Sequence, residues 1–237
     1  VGGPPGGQTF GSALFDADRD GDIDILSVHD FVADTLFRND GKGVFTDASA
    51  LALPGGGTEK TSIMGMDLAD FNQDGTIDVY GTQRDHDSIY RGNDLRSAFA
   101  DIFPETIDGY DPTRNLSGWG VALVDLDHDG DLDVFRTSNF DLPTVGVPGY
   151  VGYNVVFEHV TVDGVRKLRD ISADLAAIFS RTIDGRGLAF GDIDRDGDMD
   201  ILIGVAGTSS RLEEDTIATS LLLVNDGTEA ARHAWVQ

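Results

Sequence analysis

The chain contains no cysteine in 237 residues, so it can form neither a disulfide framework nor a thiolate metal site. Positive charge is scarce: 17 Lys and Arg stand against 42 Asp and Glu, for a formal net charge of −25. Nucleic-acid binding needs basic patches, and this balance argues against it. No apolar run approaches the roughly 20 residues of a membrane span, so no direct membrane insertion is expected. No nucleophile elbow, phosphate-binding loop or zinc signature occurs, and none of the five histidines stands at a recognisable spacing from a nucleophile. No catalytic residue is assigned, and the expectation is a protein that is not an enzyme. The opening Val1-Gly2-Gly3-Pro4-Pro5-Gly6-Gly7 reads as the start of a mature or trimmed chain rather than as a secretory leader.

Glutamate is rare as well, with 6 Glu beside 36 Asp, and 18 of those Asp lie in one nonapeptide written four times. The copies are Asp16-Ala17-Asp18-Arg19-Asp20-Gly21-Asp22-Ile23-Asp24, Asp70-Phe71-Asn72-Gln73-Asp74-Gly75-Thr76-Ile77-Asp78, Asp125-Leu126-Asp127-His128-Asp129-Gly130-Asp131-Leu132-Asp133 and Asp192-Ile193-Asp194-Arg195-Asp196-Gly197-Asp198-Met199-Asp200. We number them loops 1 to 4 and their residues positions 1 to 9. Carboxylates crowded this closely repel one another unless a cation lies between them. Calcium takes six to eight oxygens and suits such a loop. Positions 1, 3, 5 and 9 offer side-chain oxygens: Asp16, Asp18, Asp20 and Asp24; Asp70, Asn72, Asp74 and Asp78; Asp125, Asp127, Asp129 and Asp133; Asp192, Asp194, Asp196 and Asp200. At position 7, Asp22, Thr76, Asp131 and Asp198 would contribute backbone carbonyls and keep their side chains free. Four bound ions, Ca²⁺ in a structural role, would bring −25 to about −17. An EF-hand needs a Glu at position 12, which here is Ser27, Gly81, Arg136 and Ile203, so that loop type is excluded.

Alternating apolar runs flank each loop and predict strands on both sides, so the unit is a hairpin closed by a metal. The preceding strands are Gly-led: Gly11–Phe15, Gly65–Ala69, Gly120–Val124 and Gly187–Gly191. Loop starts recur every 54, 55 and 67 residues, a period that marks a propeller-type array. The repeats fall at about 8–58, 59–112, 113–180 and 181–237, and residues 1–237 are expected to form a single propeller domain or a fragment of one. Third and fourth strands are expected at Thr35–Arg38 and Val44–Asp47, Ser88–Arg91 and Ala98–Phe103, Asn154–Glu158 and Val165–Arg169, and Ile217–Val224 with Ala234–Gln237. Ala48 to Lys60 reads as a connector, Pro104 to Ser117 as a polar loop, and Ser172 to Phe179 as a short helix capped by Ser172.

Gly-led strand, Asp loop, apolar strand and then Leu36-Phe37-Arg38-Asn39-Asp40-Gly41-Lys42-Gly43-Val44-Phe45-Thr46-Asp47 resemble the FG-GAP or VCBS repeat. That is the calcium-binding blade of integrin α-subunit propellers. Gly118-Trp119-Gly120-Val121-Ala122, Arg186-Gly187-Leu188-Ala189-Phe190-Gly191-Asp192, Leu223-Val224-Asn225-Asp226-Gly227 and His233-Ala234-Trp235-Val236 are similar to the approach to an ASPIC/UnbV domain, as in cartilage acidic protein. The resemblance implies an all-β propeller of four-stranded antiparallel blades, either a closed four-blade ring or part of a larger one of about seven.

The expected function is a non-enzymatic binding or assembly module, secreted, cell-surface or periplasmic, whose partner is a protein or glycan. Calcium is abundant outside cells, and that is the ground for the location. The segment from Phe140 to Tyr153, Pro/Gly-rich and nearly uncharged, offers Phe140, Tyr150 and Tyr153 as partner-binding residues. Folding of that segment over its own blade accounts for it equally well. The competing readings are an enzyme with its site in the propeller channel and a structural spacer of a larger surface protein.

Overall fold

The computed structural model describes residues 7–84, 86–93, 95, 99–109, 113, 116–139, 154–173, 185–205, 220–225 and 235–236. The described residues build four antiparallel sheets of four strands each, every sheet in chain order. Sheet 1 holds β1 (Gln8–Phe15), β2 (Asp24–Asp30), β3 (Thr35–Asn39) and β4 (Phe45–Asp47). Sheet 2 holds β5 (Gly65–Ala69), β6 (Asp78–Thr82), β7 (Ser88–Arg91) and β8 (Ala100–Asp101). Sheet 3 holds β9 (Ser117–Val124), β10 (Asp133–Asn139), β11 (Val155–Val162) and β12 (Val165–Asp170). Sheet 4 holds β13 (Gly185–Gly191), β14 (Asp200–Val205), β15 (Leu221–Asn225) and β16 (Trp235–Val236). This is the all-β, bladed architecture expected, one sheet for each nonapeptide. Each nonapeptide joins the first two strands of its sheet.

The chain divides into two compact units, Val1–Glu105 and Thr106–Gln237. In the first, Leu26, Val28 and Leu36 of sheet 1 pack in one core with Val79 and Tyr90 of sheet 2. Leu68, Val79 and Tyr90 sit opposite one another across β5, β6 and β7, so they form one apolar row on one face. In the second unit, Ala122, Phe135 and Val156 of sheet 3 share a core with Ile201, Ile203, Leu221 and Leu223 of sheet 4. Fully burying one such aliphatic or aromatic side chain contributes about 2 kcal/mol. Gly120, expected to lead its strand, lies inside β9, and its place there has a packing reason. A Cβ there would lie 2.7 Å from the Leu188 Cβ, so only glycine lets β9 and β13 approach this closely.

The connectors differ from their expected form. Ala48 to Lys60 contains two single helical turns, Ser49–Ala52 and Pro54–Gly57, and the start of the expected polar loop lies in a third, Phe103–Thr106. The fourth strand of sheet 2 is only Ala100–Asp101. The apolar side chain of Phe103 is buried from the turn that follows, edge-on to Tyr80 at a centroid distance of 6.0 Å. An apolar residue marks burial, and at this length it does not distinguish strand from turn. Ser172, the expected helix cap, also bonds within its own blade. Its hydroxyl accepts the Val156 N–H at 3.0 Å and donates to Asp170 at 2.6 Å. Ser49 accepts the Leu36 N–H at 3.0 Å in the same way. Residues 174–179 of the expected helix lie outside the described residues, as do 206–219, which include the start of the Ile217–Val224 strand.

Candidate metal centre

The four loops share one backbone. The position-6 glycines, Gly21, Gly75, Gly130 and Gly197, have φ of +95°, +88°, +91° and +102°. A Cβ at any of them would meet nothing within 4 Å, so glycine is required by the backbone angle and not by space. Position 4 is also left-handed although it is never glycine: Arg19, Gln73, His128 and Arg195 have φ between 58° and 68°. Sequence reasoning missed that feature, because none of these residue types advertises αL. The strain is offset by the turn it creates. The position-6 amide donates to the position-1 carboxylate in every loop, at 2.9, 2.9, 3.1 and 3.2 Å. The position-7 amide donates to position 5 in every loop, at 2.9 to 3.0 Å.

Position 9 has the most demanding setting. Asp24, Asp78, Asp133 and Asp200 are all buried, at 0 to 1% exposure, and each opens the second strand of its sheet. One oxygen accepts the position-2 amide, from Ala17, Phe71, Leu126 or Ile193, at 2.8 to 3.2 Å. The other accepts an amide at or beside the end of the third strand, from Asn39 or Gly92, or within that strand, from His159, or at its last residue, Asn225, at 2.8 to 3.0 Å. The carboxylate therefore ties loop, second strand and third strand together. Burial pushes Asp78 up to about 6 and Asp133 up to about 7, while those amides pull the other way.

The structure brings positions 1, 3 and 9 together in loops 1, 3 and 4. One oxygen from each of Asp16, Asp18 and Asp24, of Asp125, Asp127 and Asp133, and of Asp192, Asp194 and Asp200 lies within 4.8 Å of the others. Two ligands about 2.4 Å from one calcium lie at most about 4.8 Å apart, so this oxygen-only set fits a hard divalent cation. In loop 2, Asn72 takes the position-3 place and its side-chain oxygen accepts the Asp74 amide at 2.9 Å, as the aspartates do elsewhere.

Three of the position-7 side chains, those of Thr76, Asp131 and Asp198, are not free as expected. The Thr76 hydroxyl donates to Asp74, and a contact to the Gly92 carbonyl is 3.2 Å long. Asp131 pairs with Arg166 at 2.8 Å, and Asp198 pairs with the imidazole of His128. Sheet register and blade packing bring these partners in, and neither is visible in the loop sequence. His29 and His159 are buried among hydroxyls and carbonyls: His29 lies 3.0 Å from the Thr9 hydroxyl, and His159 Nδ1 donates to the Leu132 carbonyl at 3.1 Å. Phe140, Tyr150 and Tyr153 lie outside the described residues.

A second repeated feature lies at the other end of the second strand in sheets 1, 2 and 3. Asp34 accepts the His29 N–H at 2.9 Å, Asp87 accepts the Gln83 N–H at 3.3 Å, and Asn154 accepts the Ser138 N–H at 3.3 Å. Asp34 also accepts from the hydroxyls of Thr61 and Tyr90, and burial pushes its pKa up to about 6.

The model of the FG-GAP-like repeat matches residues 16–81 and 70–135, together just over half of the 237-residue chain. The chain belongs to the FG-GAP-like repeat family. The two matches overlap on loop 2 and contain loops 1 and 3, so three of the four Asp loops lie in matched FG-GAP-like sequence. No curated protein matches the chain. Among solved structures, an Agrocybe aegerita lectin, described by its specific recognition of non-reducing terminal N-acetylglucosamine, is similar at 17% identity with a TM-score of 0.44. The similarity covers 94% of this FG-GAP-like chain and 50% of the lectin, so the chain spans about half of that protein's length.

Proposed function

We propose that this chain is a calcium-stabilised, non-enzymatic propeller module that works outside the cell and presents its blade surfaces to a protein or glycan. The observation that carries the calcium part is the convergence of three carboxylate oxygens in each of three loops, on an all-oxygen donor set. Calcium, when bound, supplies the positive charge that lets those carboxylates share a point. The chain's own residues do the rest: position 9 ties the loop to the third strand, and the position-6 glycine turns positions 1 and 3 toward it. Repetition in every blade suits a metal that holds the frame, since a catalytic metal is ordinarily single and has a base beside it. An extracellular setting follows from the millimolar calcium that weak oxygen sites require.

The test is thermal unfolding in chelator and again in millimolar Ca²⁺, with a calorimetric titration to count sites. A rise in melting temperature with about four ions bound supports the reading, by linkage of binding to folding. An unchanged melt with no binding would sink it. The partner reading is tested by capture of extracellular proteins and glycans in calcium, with Phe140, Tyr150 and Tyr153 changed to Ser. Capture unaffected by the triple change removes that segment as the binding surface.

A further inference from the structure

The calcium sites differ in what stands beside them. The residue just before the amide that holds each position-9 carboxylate is Arg38, Arg91, Glu158 and Val224, in sheets 1 to 4. These four are equivalent by structure, and only the first two are cationic. Arg38 reaches its own loop twice: Nε pairs with Asp18, and an Nη lies 3.2 Å from Asp20. Arg91 reaches Asp74 at 3.5 Å. Those carboxylates stand at positions 3 and 5, where their oxygens are expected to ligate the metal. Both arginines are about half exposed, so they can swing away at little cost.

Two pairs at loops 3 and 4 involve a different loop position. Arg166 pairs with Asp131 and His128 with Asp198, both at position 7. Position 7 is expected to give the metal its backbone carbonyl, so these pairs do not draw on a side-chain ligand. Loop 2 has a second reason to bind weakly, the neutral Asn72. Loop 1 is the decisive case, because its five aspartates match those of loops 3 and 4 in sequence and Arg38 stands on two of them.

On the calcium reading, we infer that Arg38 and Arg91 are internal counter-charges that compete with calcium for loops 1 and 2. The four sites are thereby divided into a weaker pair and a tighter pair. Without metal, Arg38 neutralises the clustered carboxylates and holds β3 against the loop. With metal, the same guanidinium must be displaced or must face a divalent cation. A unit charge about 5 Å from a divalent ion, even at the dielectric constant of water, weakens binding by about tenfold.

The experiment is a calorimetric titration of the metal-free protein with Ca²⁺ alone, on wild type and on Arg38→Met, Arg91→Met and Arg38→Lys. The wild type should show two classes of site about tenfold apart. Arg38→Met should move one site from the weaker class toward the tighter and lower the melting temperature in chelator. Arg38→Lys keeps the charge and should keep the weak class populated. Arg91→Met supplies an independent test in sheet 2 should Arg38→Met fold poorly, with far-ultraviolet circular dichroism as the check on folding. Four equivalent sites in wild type would overturn the inference, as would an Arg38→Met titration indistinguishable from wild type. Failure of the wild type to bind calcium at all would overturn the calcium reading instead, so the two failures are distinct.

Discussion

The carboxylate of Asp133 accepts the amide of His159 at 2.8 Å, across 26 residues of sequence. Its other oxygen accepts the amide of Leu126 at 2.9 Å, so both oxygens are held by backbone groups in a fully buried setting. Asp133→Asn would place an NH₂ against one of those N–H groups. The expected loss is about 2 kcal/mol in chelator, from one buried amide left without its acceptor. Chemical denaturation measures it, and a variant as stable as wild type would show that the clamp contributes nothing.

Asp194→Asn separates charge from architecture. The Asp194 side chain accepts the Asp196 amide at 3.2 Å, and Asn72 shows that an asparagine oxygen fills the same role in loop 2. The variant should melt in chelator within about 0.5 kcal/mol of wild type, as a substitution that keeps its hydrogen bond does. Its calcium titration should show one site weakened by about tenfold, the effect of removing one unit of ligand charge. Loss of stability in chelator would mean that Asp194 has a structural role beyond the metal.

Gly130→Ala tests the loop backbone. With φ at +91° and open space where a Cβ would go, the substitution brings strain without a clash. A cost of about 1–2 kcal/mol is expected from the unfavourable angle. Gly187→Ala is the control, since a Cβ there also meets nothing within 4 Å and its φ is not left-handed. Equal costs for the two variants would refute the backbone argument.

Asp34 gives the pH dependence. Burial raises its pKa from 3.8 to about 6 in the folded chain, so the folded state holds the proton more tightly than the unfolded state does. Its contribution to stability is complete below about pH 4 and is lost as pH rises through about 6. The loss amounts to roughly 2–3 kcal/mol. Asp34→Asn cannot ionise, yet keeps an oxygen for the His29 amide. In chelator, the stability gap between wild type and variant should shift in the variant's favour between pH 4 and pH 7. A gap constant over that range would show that Asp34 does not titrate as its burial requires.

Much of the site was legible because its determinants are local. The nonapeptide carries its ligands, its turn glycine and its flanking strands within about 20 residues, and β5 was bounded correctly from Gly65 to Ala69 by alternation and the loop alone. Less legible was β8, whose apolar Ala98–Phe103 stretch resolves into two strand residues and a turn. The αL backbone at Arg19, Gln73, His128 and Arg195 was invisible too, because the hydrogen bonds of the closed loop impose it against residue preference. Asp34 drew no notice in the sequence, since a single aspartate before a strand has no pattern to read.

The sequence by itself determined the repeat, the order of strands within each sheet and the oxygen chemistry of the loops. These depend on side-chain period and turn residues only a few positions apart. Only the tertiary structure decided that Asp24 meets the Asn39 amide, that Arg38 lies on Asp18 and Asp20, that His128 reaches Asp198, and that Tyr90 closes on Asp34. Those meetings join residues 15 to 70 positions apart in the chain. Strand register and the packing of one sheet on another bring them together, and no local spacing in the chain encodes either.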